Sequence, residues 1–293
     1  MNNSMEQNGF RAFVVLARPF TLLAPAVGFL AGSAMATGGE IPTAGLIGTL
    51  AVTILNAGSN IINQCCDLEI DRINKPIRPM PSGSVSMHGA ALLGTACYII
   101  ALGLAYLVHP RLLGIFAVGA LLTLAYSAPP LRLKRHALSS SLALGFGRGC
   151  LLPVGGWAAV EPIWHPAPWF VGLVFGLYVF GASNTKDFAD VEGDRAFGMK
   201  TLPVLLGPRR AAWMILPFLV LPFALIPIGA MWEWVPSSAQ WLGFLALWGG
   251  YVGWLMLKRP EALTFESNHI SWKHMYLLLM AGHVGFVYVF AIG

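Results

Sequence analysis

The sequence contains few charged residues. Only 11% of its 293 residues are Asp, Glu, Lys or Arg, whereas 56% are hydrophobic. A soluble globular domain carries about 25% charged residues, so the composition excludes an ordinary soluble protein. It also argues against a nucleic-acid partner, because the basic residues behind the net charge of +5 lie in short segments between apolar runs.

Cysteine is scarce as well, with four residues in the chain. Cys65 and Cys66 are adjacent, which disfavours a disulfide between them, and Cys97 and Cys150 fall within apolar runs. No Cys-x-x-Cys or Cys/His spacing typical of zinc ligands occurs in the sequence. We therefore expect neither a disulfide framework nor a zinc site.

Long apolar runs, in contrast, are abundant. They are continuous and about 20 residues long, which is enough for a helix to cross a bilayer, whereas barrel strands would be shorter and alternating. We predict an all-α polytopic membrane protein that forms a single domain over residues 1–293. Its nine predicted membrane-spanning helices are residues 20–38, 44–66, 88–108, 112–128, 139–160, 167–186, 211–231, 237–257 and 273–292.

The positions of Lys and Arg predict the orientation. Almost all of them fall in the N-terminal segment or in the loops after the second, fourth, sixth and eighth spans, and the opposite loops contain only Arg111. Cytoplasmic loops are enriched in Lys and Arg, so we expect a cytoplasmic N-terminus. The polar start of the chain resembles no cleavable or transit leader, which favours a prokaryotic plasma membrane.

An acidic motif follows the second predicted span. Asn63, Asp67 and Asp71 are spaced four residues apart, which puts them on one face of a helix. Within a membrane such a face must line a protein interior or a water-filled cavity. Two carboxylates one turn apart repel each other unless a cation lies between them. Oxygen ligands of this kind suit Mg²⁺, which also binds substrate phosphates.

A second acidic motif follows the sixth predicted span and contains Asp187, Asp190 and Asp194. Asp190 and Asp194 repeat the four-residue spacing, and each lies 123 residues after its counterpart in the first motif. A single acidic loop is more often solvated surface. Two matched pairs at span ends on the same side indicate one site, built by two related halves.

Basic residues accompany both motifs. Arg72, Lys75 and Arg78 follow the first motif, Lys200 follows the second, and the segment YSAPPLRLKR follows the fourth span. Carboxylates, divalent ions and Lys or Arg donors together bind a diphosphate. Above a bundle of apolar helices, the substrate is expected to be a lipid. An allylic isoprenyl diphosphate fits, because metal ions stabilise departing pyrophosphate and an apolar cavity protects the allylic cation from water.

The ordered set of motifs resembles the UbiA superfamily of intramembrane prenyltransferases over about residues 10–290. The motifs are Asn63-x3-Asp67-x3-Asp71, NKPIRPMPSG, YSAPPLRLKR and KDFADVEGDRAFGMKTLPVLLG. The residues of these motifs are most similar to those of three branches of the superfamily, namely the homogentisate, chlorophyll and digeranylgeranylglyceryl phosphate branches. The resemblance implies nine spans around a central cavity, with active-site loops at about 67–87, 129–138 and 187–209.

The same resemblance implies two Mg²⁺ ions and assigns roles to individual residues. One ion would be bound by Asp67 and Asp71 with Asn63 assisting, and the other by Asp190 and Asp194. The implied diphosphate-binding residues are Arg72, Arg78, Lys134 and Lys200. Tyr126 would position the substrate, and Asp187 would orient or deprotonate the acceptor nucleophile.

One further charge, Arg148, is predicted inside the fifth span. Ionisable residues within a membrane usually face a cavity and pair with an opposite charge. We expect Arg148 to meet a carboxylate or phosphate of the acceptor, or an internal Asp. The alternative is a span that starts later, so that Arg148 reaches the cytoplasmic surface.

The implied reaction is Mg²⁺-dependent transfer of an isoprenyl group from an allylic prenyl diphosphate to an acceptor, with release of pyrophosphate at the membrane. The motifs leave open whether the acceptor is an aromatic or quinone precursor, a chlorophyllide-like molecule or a prenylglyceryl phosphate. They also leave open the prenyl chain length and the oligomeric state. A terpene cyclase of the same family, which ionises the diphosphate without an acceptor, is the alternative.

Two other classes fit less well. A CDP-alcohol phosphotransferase requires a D-x-x-D-G-x-x-A-R run, which the sequence does not contain. A cation transporter would be expected to carry paired carboxylates near the middle of a span, whereas both acidic pairs lie at span ends.

Overall fold

The computed structural model describes residues 11–265 and 269–293. In those residues the chain is helical apart from its loops and a single isolated bridge between His136 and Lys200. The predicted all-α class is confirmed. Residues 1–10, on which the prediction about a leader depends, lie outside the described residues.

Besides a short helical stretch at its start, the first half of the described chain contains five α-helices. Residues 11–17 are helical, and a 3-10 turn at Pro19–Leu22 leads into the first complete helix. The five helices are α1 (Leu23–Ala36), α2 (Thr43–Cys66), α3 (Leu68–Asn74), α4 (Met87–Val108) and α5 (Pro110–Ser127).

The second half contains eight α-helices, several of them continued by 3-10 or π segments. The eight helices are α6 (Ala137–Leu144), α7 (Leu151–Ala158), α8 (Pro166–Ala182), α9 (Val191–Ala196), α10 (Leu202–Ala224), α11 (Ile226–Met231), α12 (Leu245–Lys258) and α13 (Ile270–Ile292). A π-helix at Gly145–Cys150 joins α6 to α7, and a 3-10 helix at Ser183–Asp190 joins α8 to α9. Further 3-10 segments are Ser237–Phe244 and Pro260–Thr264.

Eight helical segments among the described residues are long and apolar enough to cross a membrane. They coincide with eight of the nine predicted spans. The remaining predicted span, residues 237–257, is helical as Ser237–Phe244 followed by α12 but is not one of these eight. The count of nine spanning helices therefore stays a prediction.

Local sequence explains where several helices begin. The His109 side chain accepts a hydrogen bond from the backbone of Arg111, and Pro110 occupies the first turn of α5. His165 and Pro166 repeat this arrangement at the start of α8. Helix starts leave unpaired backbone N–H groups, and a capping side chain followed by proline is a favourable solution.

Three hydrophobic clusters lie within the described residues, and two of them hold most of the helices together. The smaller of these two combines side chains of α1, α2, α4, α5 and α7, among them Phe29 and Phe116. The larger one is built mainly from α8, α10, α12 and α13, among them Phe175, Phe223 and Phe286. Each of these two clusters corresponds largely to one half of the chain.

Helices α1 and α7 cross with their backbones in close contact. A Cβ atom on Gly156 would lie 1.9 Å from the carbonyl oxygen of Phe29, so this crossing requires glycine. Small residues at helix crossings are typical of membrane bundles, in which backbones approach closely. The outer surface carries large exposed apolar side chains, as expected for contact with lipid; Leu107 and Leu247 are 78% and 73% exposed.

Candidate active site

The first acidic motif lies where α2 ends and α3 begins. Asp67 separates the two helices with φ −106° and ψ 10°. Asp190 separates the 3-10 helix Ser183–Asp190 from α9 with nearly the same backbone, φ −108° and ψ 7°. Asp71 and Asp194 follow one turn later, and both are buried. The two motifs therefore share one local geometry, in agreement with the prediction of related halves.

Two basic residues of the loop at 129–138 bind the Asp67 carboxylate. Arg132 Nη2 donates to Oδ1 at 3.0 Å, and Lys134 Nζ donates to Oδ2. Lys134 is buried, so its charge is directed at the carboxylate and not at solvent. Both residues belong to the basic segment YSAPPLRLKR that was expected at the site, but only Lys134 was assigned to the diphosphate.

The remaining carboxylates of the two pairs are also hydrogen-bonded. Arg78 Nη1 donates to Asp71 at 2.6 Å, and Thr201 Oγ1 donates to Asp194 at 3.3 Å. Lys75 Nζ donates to Oδ2 of Asp190 at 2.6 Å. Because Lys75 follows the first motif and Asp190 belongs to the second, the two motifs lie on the same face of the bundle. The sequence analysis named Lys75 among the basic residues that accompany the motifs but did not assign it to the diphosphate.

The two residues predicted to act on the substrates, Tyr126 and Asp187, are brought together by a third, Lys186. The Lys186 ammonium donates to the Tyr126 hydroxyl oxygen and lies 5.0 Å from the centre of its ring. It also lies 3.9 Å from Oδ1 of Asp187, whose side chain is 10% exposed. The sequence had treated Lys186 only as part of the charge that sets the orientation.

The polar face of α2 serves two purposes. The Asn63 Nδ2 group donates to Ser127 Oγ at 3.1 Å, which leaves its carbonyl oxygen as the atom to face a metal. Deeper along the helix, Asn56 and Asn60 donate to backbone carbonyls of Thr21 and Ala17. Part of the face predicted to line a cavity therefore fixes the N-terminal segment.

Arg148 lies in the π-helix Gly145–Cys150, a form that often occurs at functional sites. Its Nη2 donates to Asn60 Oδ1 at 3.3 Å, and its Nε is buried without a hydrogen-bond partner in the described part of the chain. An internal Asp was one of the partners expected for Arg148, but in that part of the chain Arg148 forms no ion pair with an Asp, and its hydrogen bond goes to the Asn60 amide. Arg148 therefore remains available for an external anion.

A second arginine, Arg18, belongs near the same site but was not identified from the sequence. Burial, followed by the charges of Arg78 and Arg148, lowers the pKa of the Arg18 guanidinium from its ordinary value. The charge of Asp71 acts on the Arg18 pKa in the opposite direction. The signal in the sequence was the position of Arg18 directly before Pro19, at the start of the first span and on the side of the acidic motifs.

Two predicted diphosphate-binding residues lie apart from these carboxylate contacts. Arg72 forms an ion pair with Glu69 at 2.7 Å, and both side chains are more than half exposed. Lys200 is exposed, and its backbone joins two loops by accepting from Ala137 and donating to Arg135. Their assignment to the diphosphate stays a prediction.

The donor set fits Mg²⁺ that is shared with a substrate. Within residues 11–265 and 269–293, no three His, Cys, Asp or Glu side chains converge as a metal-binding group. Each motif instead offers two carboxylates, and the first adds the carbonyl oxygen of Asn63. Mg²⁺ commonly takes one or two carboxylates, keeps several waters and completes its shell with substrate phosphates. The residues present therefore fit that ion.

Together, the fold and the paired acidic motifs define a multi-pass membrane enzyme of the prenyltransferase class. The sequence pattern of the UbiA prenyltransferase family matches residues 25–290. The chain belongs to this family, which confirms the resemblance seen in its motifs.

The chain is similar in sequence to two kinds of synthase. The digeranylgeranylglyceryl phosphate synthase of Methanoculleus marisnigri is 29% identical over 287 residues, which cover 96% of this chain and 97% of that protein. The bacteriochlorophyll synthase 33 kDa chain of Cereibacter sphaeroides is 33% identical over 210 residues, which cover 69% of this chain and 68% of that protein.

A solved structure shows the same fold. The structure of a UbiA homologue from Archaeoglobus fulgidus, bound to DMAPP and Mg²⁺, superimposes with a TM-score of 0.72 at 19% identity. The match covers 94% of this chain and 99% of the homologue. At this level of identity the likeness establishes the architecture of the bundle.

Proposed function

We propose that this prenyltransferase transfers the isoprenyl group of an allylic prenyl diphosphate to an anionic acceptor, with Mg²⁺ as cofactor. The observation that carries this proposal is the pair of acidic motifs, which share one backbone geometry and are joined across the halves by Lys75 and Asp190. The homologue bound to DMAPP and Mg²⁺ supports it, because that protein has the same fold.

In this proposal the acidic residues hold two ions and the basic residues hold the phosphates. Asp67 and Asp71, with the carbonyl oxygen of Asn63, bind one Mg²⁺, and Asp190 and Asp194 bind the other. When bound, the ions neutralise the diphosphate and stabilise pyrophosphate as the leaving group. Seven basic side chains from the loops at the acidic face donate to the remaining phosphate oxygens: Arg72, Lys75, Arg78, Arg132, Lys134, Lys186 and Lys200.

Lys186, Tyr126 and Asp187 serve the transfer step. An ammonium group only donates hydrogen bonds, so Tyr126 accepts from Lys186 with its oxygen. The Tyr126 O–H is then free to donate to the substrate and hold it in place. Asp187 is a carboxylate next to this pair, and it accepts the proton of the acceptor nucleophile as the new bond to the prenyl carbon forms.

Arg148 and Arg18 indicate the chemistry of the acceptor. Neither forms an ion pair with a carboxylate in the described residues, whereas Lys75, Arg78, Arg132 and Lys134 all do. An acceptor with a phosphate or carboxylate would supply the missing negative charge. We propose a prenylglyceryl phosphate as the acceptor. A chlorophyllide-like carboxylate is the second candidate, since a bacteriochlorophyll synthase is comparably similar in sequence.

The test is pyrophosphate release by the purified enzyme with geranylgeranyl diphosphate and Mg²⁺. Acceptors are added one at a time: geranylgeranylglyceryl phosphate, chlorophyllide, homogentisate and 4-hydroxybenzoate. We expect release only with an acceptor present, abolished by EDTA and restored by Mg²⁺. Release without any acceptor would instead support the terpene cyclase, and no release with prenyl diphosphates of any length would remove the proposal.

A further inference from the structure

Asn74, the last residue of α3, contacts the start of α9 in the other half of the protein. Its side-chain Oδ1 accepts a hydrogen bond from the backbone N–H of Gly193 at 2.9 Å. Its Nδ2 donates to the backbone carbonyl of Asp190 at 3.3 Å. One amide side chain therefore binds both the residue before α9 and a residue in its first turn.

These contacts replace a cap that the helix does not make for itself. Asp190 is the N-cap residue of α9, and Asp is one of the residue types that normally cap a helix with their own side chain. Here the Asp190 side chain makes no capping hydrogen bond. The N–H of Gly193, which an N-cap side chain would ordinarily satisfy, is instead bound by Asn74.

The Asp190 carboxylate makes no hydrogen bond to the start of α9 and points elsewhere. It accepts from Lys75, the residue that follows Asn74 in the chain. If the carboxylate turned back to cap α9, its oxygens would be engaged by backbone N–H groups and less available to a metal. Consecutive residues at the end of α3 thus have two linked roles, since Asn74 caps α9 and Lys75 binds the Asp190 carboxylate.

Glycine at position 193 makes this arrangement possible. A Cβ atom there would lie 2.4 Å from Oδ1 of Asn74 and 2.6 Å from its Cγ and Nδ2. Such distances are far below van der Waals contact, so any larger residue would displace the Asn74 side chain. The pairing of Asn74 with Gly193 is therefore specific in shape as well as in hydrogen bonding.

We propose that Asn74 is a positioning residue that caps α9 in place of Asp190 and so keeps the Asp190 carboxylate available as a metal ligand. The inference rests on the proposed function, in which Asp190 and Asp194 bind the second Mg²⁺. It also explains how the first acidic motif sets the geometry of the second. A change at Asn74 acts on the site through Asp190, with no contact of its own to the substrate.

The experiment measures binding, with Mn²⁺ in place of Mg²⁺ and inorganic pyrophosphate as the probe. Free Mn²⁺ is followed by EPR during titration of the full-length protein in detergent. We expect Asn74→Ala to raise the Kd of the second bound ion about tenfold, which is the effect of losing one or two hydrogen bonds that orient a ligand. The first ion should keep its affinity, because Asp67 and Asp71 are unaffected.

A double-mutant cycle isolates the contact. Gly193→Ala in the wild-type background should weaken binding of the second ion as much as Asn74→Ala does, because the added methyl group displaces the side-chain amide of Asn74. In the Asn74→Ala background the same substitution should have little further effect, because no side chain remains to be displaced. Asn56→Ala, which removes another hydrogen bond from an asparagine to backbone, serves as the matched control and should leave both ions unchanged.

The outcomes separate this inference from the proposed function. If the wild type binds two ions and Asn74→Ala binds them equally well, the role of Asn74 is wrong and the proposed function is untouched. Additive effects of the two substitutions would also contradict it. If the wild type itself binds no Mn²⁺ in the presence of pyrophosphate, the proposed metal-dependent function is wrong, and the inference that rests on it falls with it.

Discussion

At the scale of single residues, the basic side chains of the site occupy the places that metal ions and phosphates would take. Asp67, Asp71 and Asp190 each form an ion pair with Lys or Arg. A cationic side chain cannot ligate a metal, so in the proposed function Mg²⁺ competes with Lys and Arg for the carboxylate oxygens, and the cations that it displaces can turn to the phosphate oxygens. This exchange keeps the charges balanced, and we therefore expect metal and diphosphate to bind together more tightly than either alone.

The first prediction concerns the carboxylates. Asp67→Ala and Asp190→Ala should each lower kcat by about a thousandfold, because removing one electrostatic stabiliser of the leaving group has effects of this order. Steady-state pyrophosphate release measures the change. Glu40→Ala, an exposed acidic residue on the opposite side of the predicted topology, is the control and should retain wild-type activity. Full activity in either Asp variant would count against a two-metal site.

A second prediction separates the acceptor from the prenyl donor. Arg148→Ala should raise the KM for an anionic acceptor about tenfold or more, since charge-assisted hydrogen bonds are the strong ones. The KM for prenyl diphosphate should stay nearly constant, because other basic residues bind that group. Steady-state kinetics with each substrate varied in turn give both values, and Arg148→Lys should recover part of the loss. An equal rise in the KM for the acceptor and the KM for prenyl diphosphate would show that Arg148 is not specific to the acceptor.

At the scale of helices, the bundle depends on close crossings as well as on hydrophobic burial. The third prediction is that Gly156→Ala destabilises the protein by about 1–3 kcal/mol, the usual cost of overpacking, because the methyl group would overlap the Phe29 carbonyl. Thermal unfolding in detergent measures it. Gly114→Ala in α5 is the matched control, because nothing lies within 4 Å of its added Cβ atom. Equal melting temperatures for the two variants would mean that α1 and α7 can separate without cost.

The elements also show what the sequence does and does not determine. Long apolar runs predict the positions of the spans because the bilayer fixes their length. The same pattern does not reveal the π-helix around Arg148 or the 3-10 helix that leads to Asp190, since both depend on packing against neighbouring helices. Within the site, regular spacing identifies the acidic pairs. The partners of those pairs, such as Lys75 and Arg132, come from loops whose approach in space has no periodic signal.

At the scale of the whole molecule, the two halves are linked at the acidic face. Asn74 and Lys75 connect α3 to α9, and the backbone of Lys200 pairs with that of Arg135 and Ala137. The candidate site therefore includes contacts between the two halves, and we expect a change at these contacts to affect both acidic pairs. The opposite face differs in charge, and its single predicted basic residue has a structural role. Arg111 donates to the carbonyls of Ala158 and Val160 at the end of α7.

The last prediction tests which face is cytoplasmic. Helix ends leave unpaired carbonyl groups that a basic side chain can satisfy, so Arg111 is explained without reference to topology. The remaining Lys and Arg residues then follow the positive-inside rule, which predicts that the acidic motifs face the cytoplasm. In a variant with Cys65, Cys66, Cys97 and Cys150 replaced by Ala, single cysteines are introduced as Ser84→Cys and Glu161→Cys, both at exposed positions. A membrane-impermeant maleimide should label Ser84→Cys only in inverted vesicles and Glu161→Cys only in intact cells or spheroplasts. The cysteine-free variant gives the background.

The reverse labelling pattern would put the diphosphate site on the outer face and would make a cytosolic supply of prenyl diphosphate incompatible with the proposed reaction.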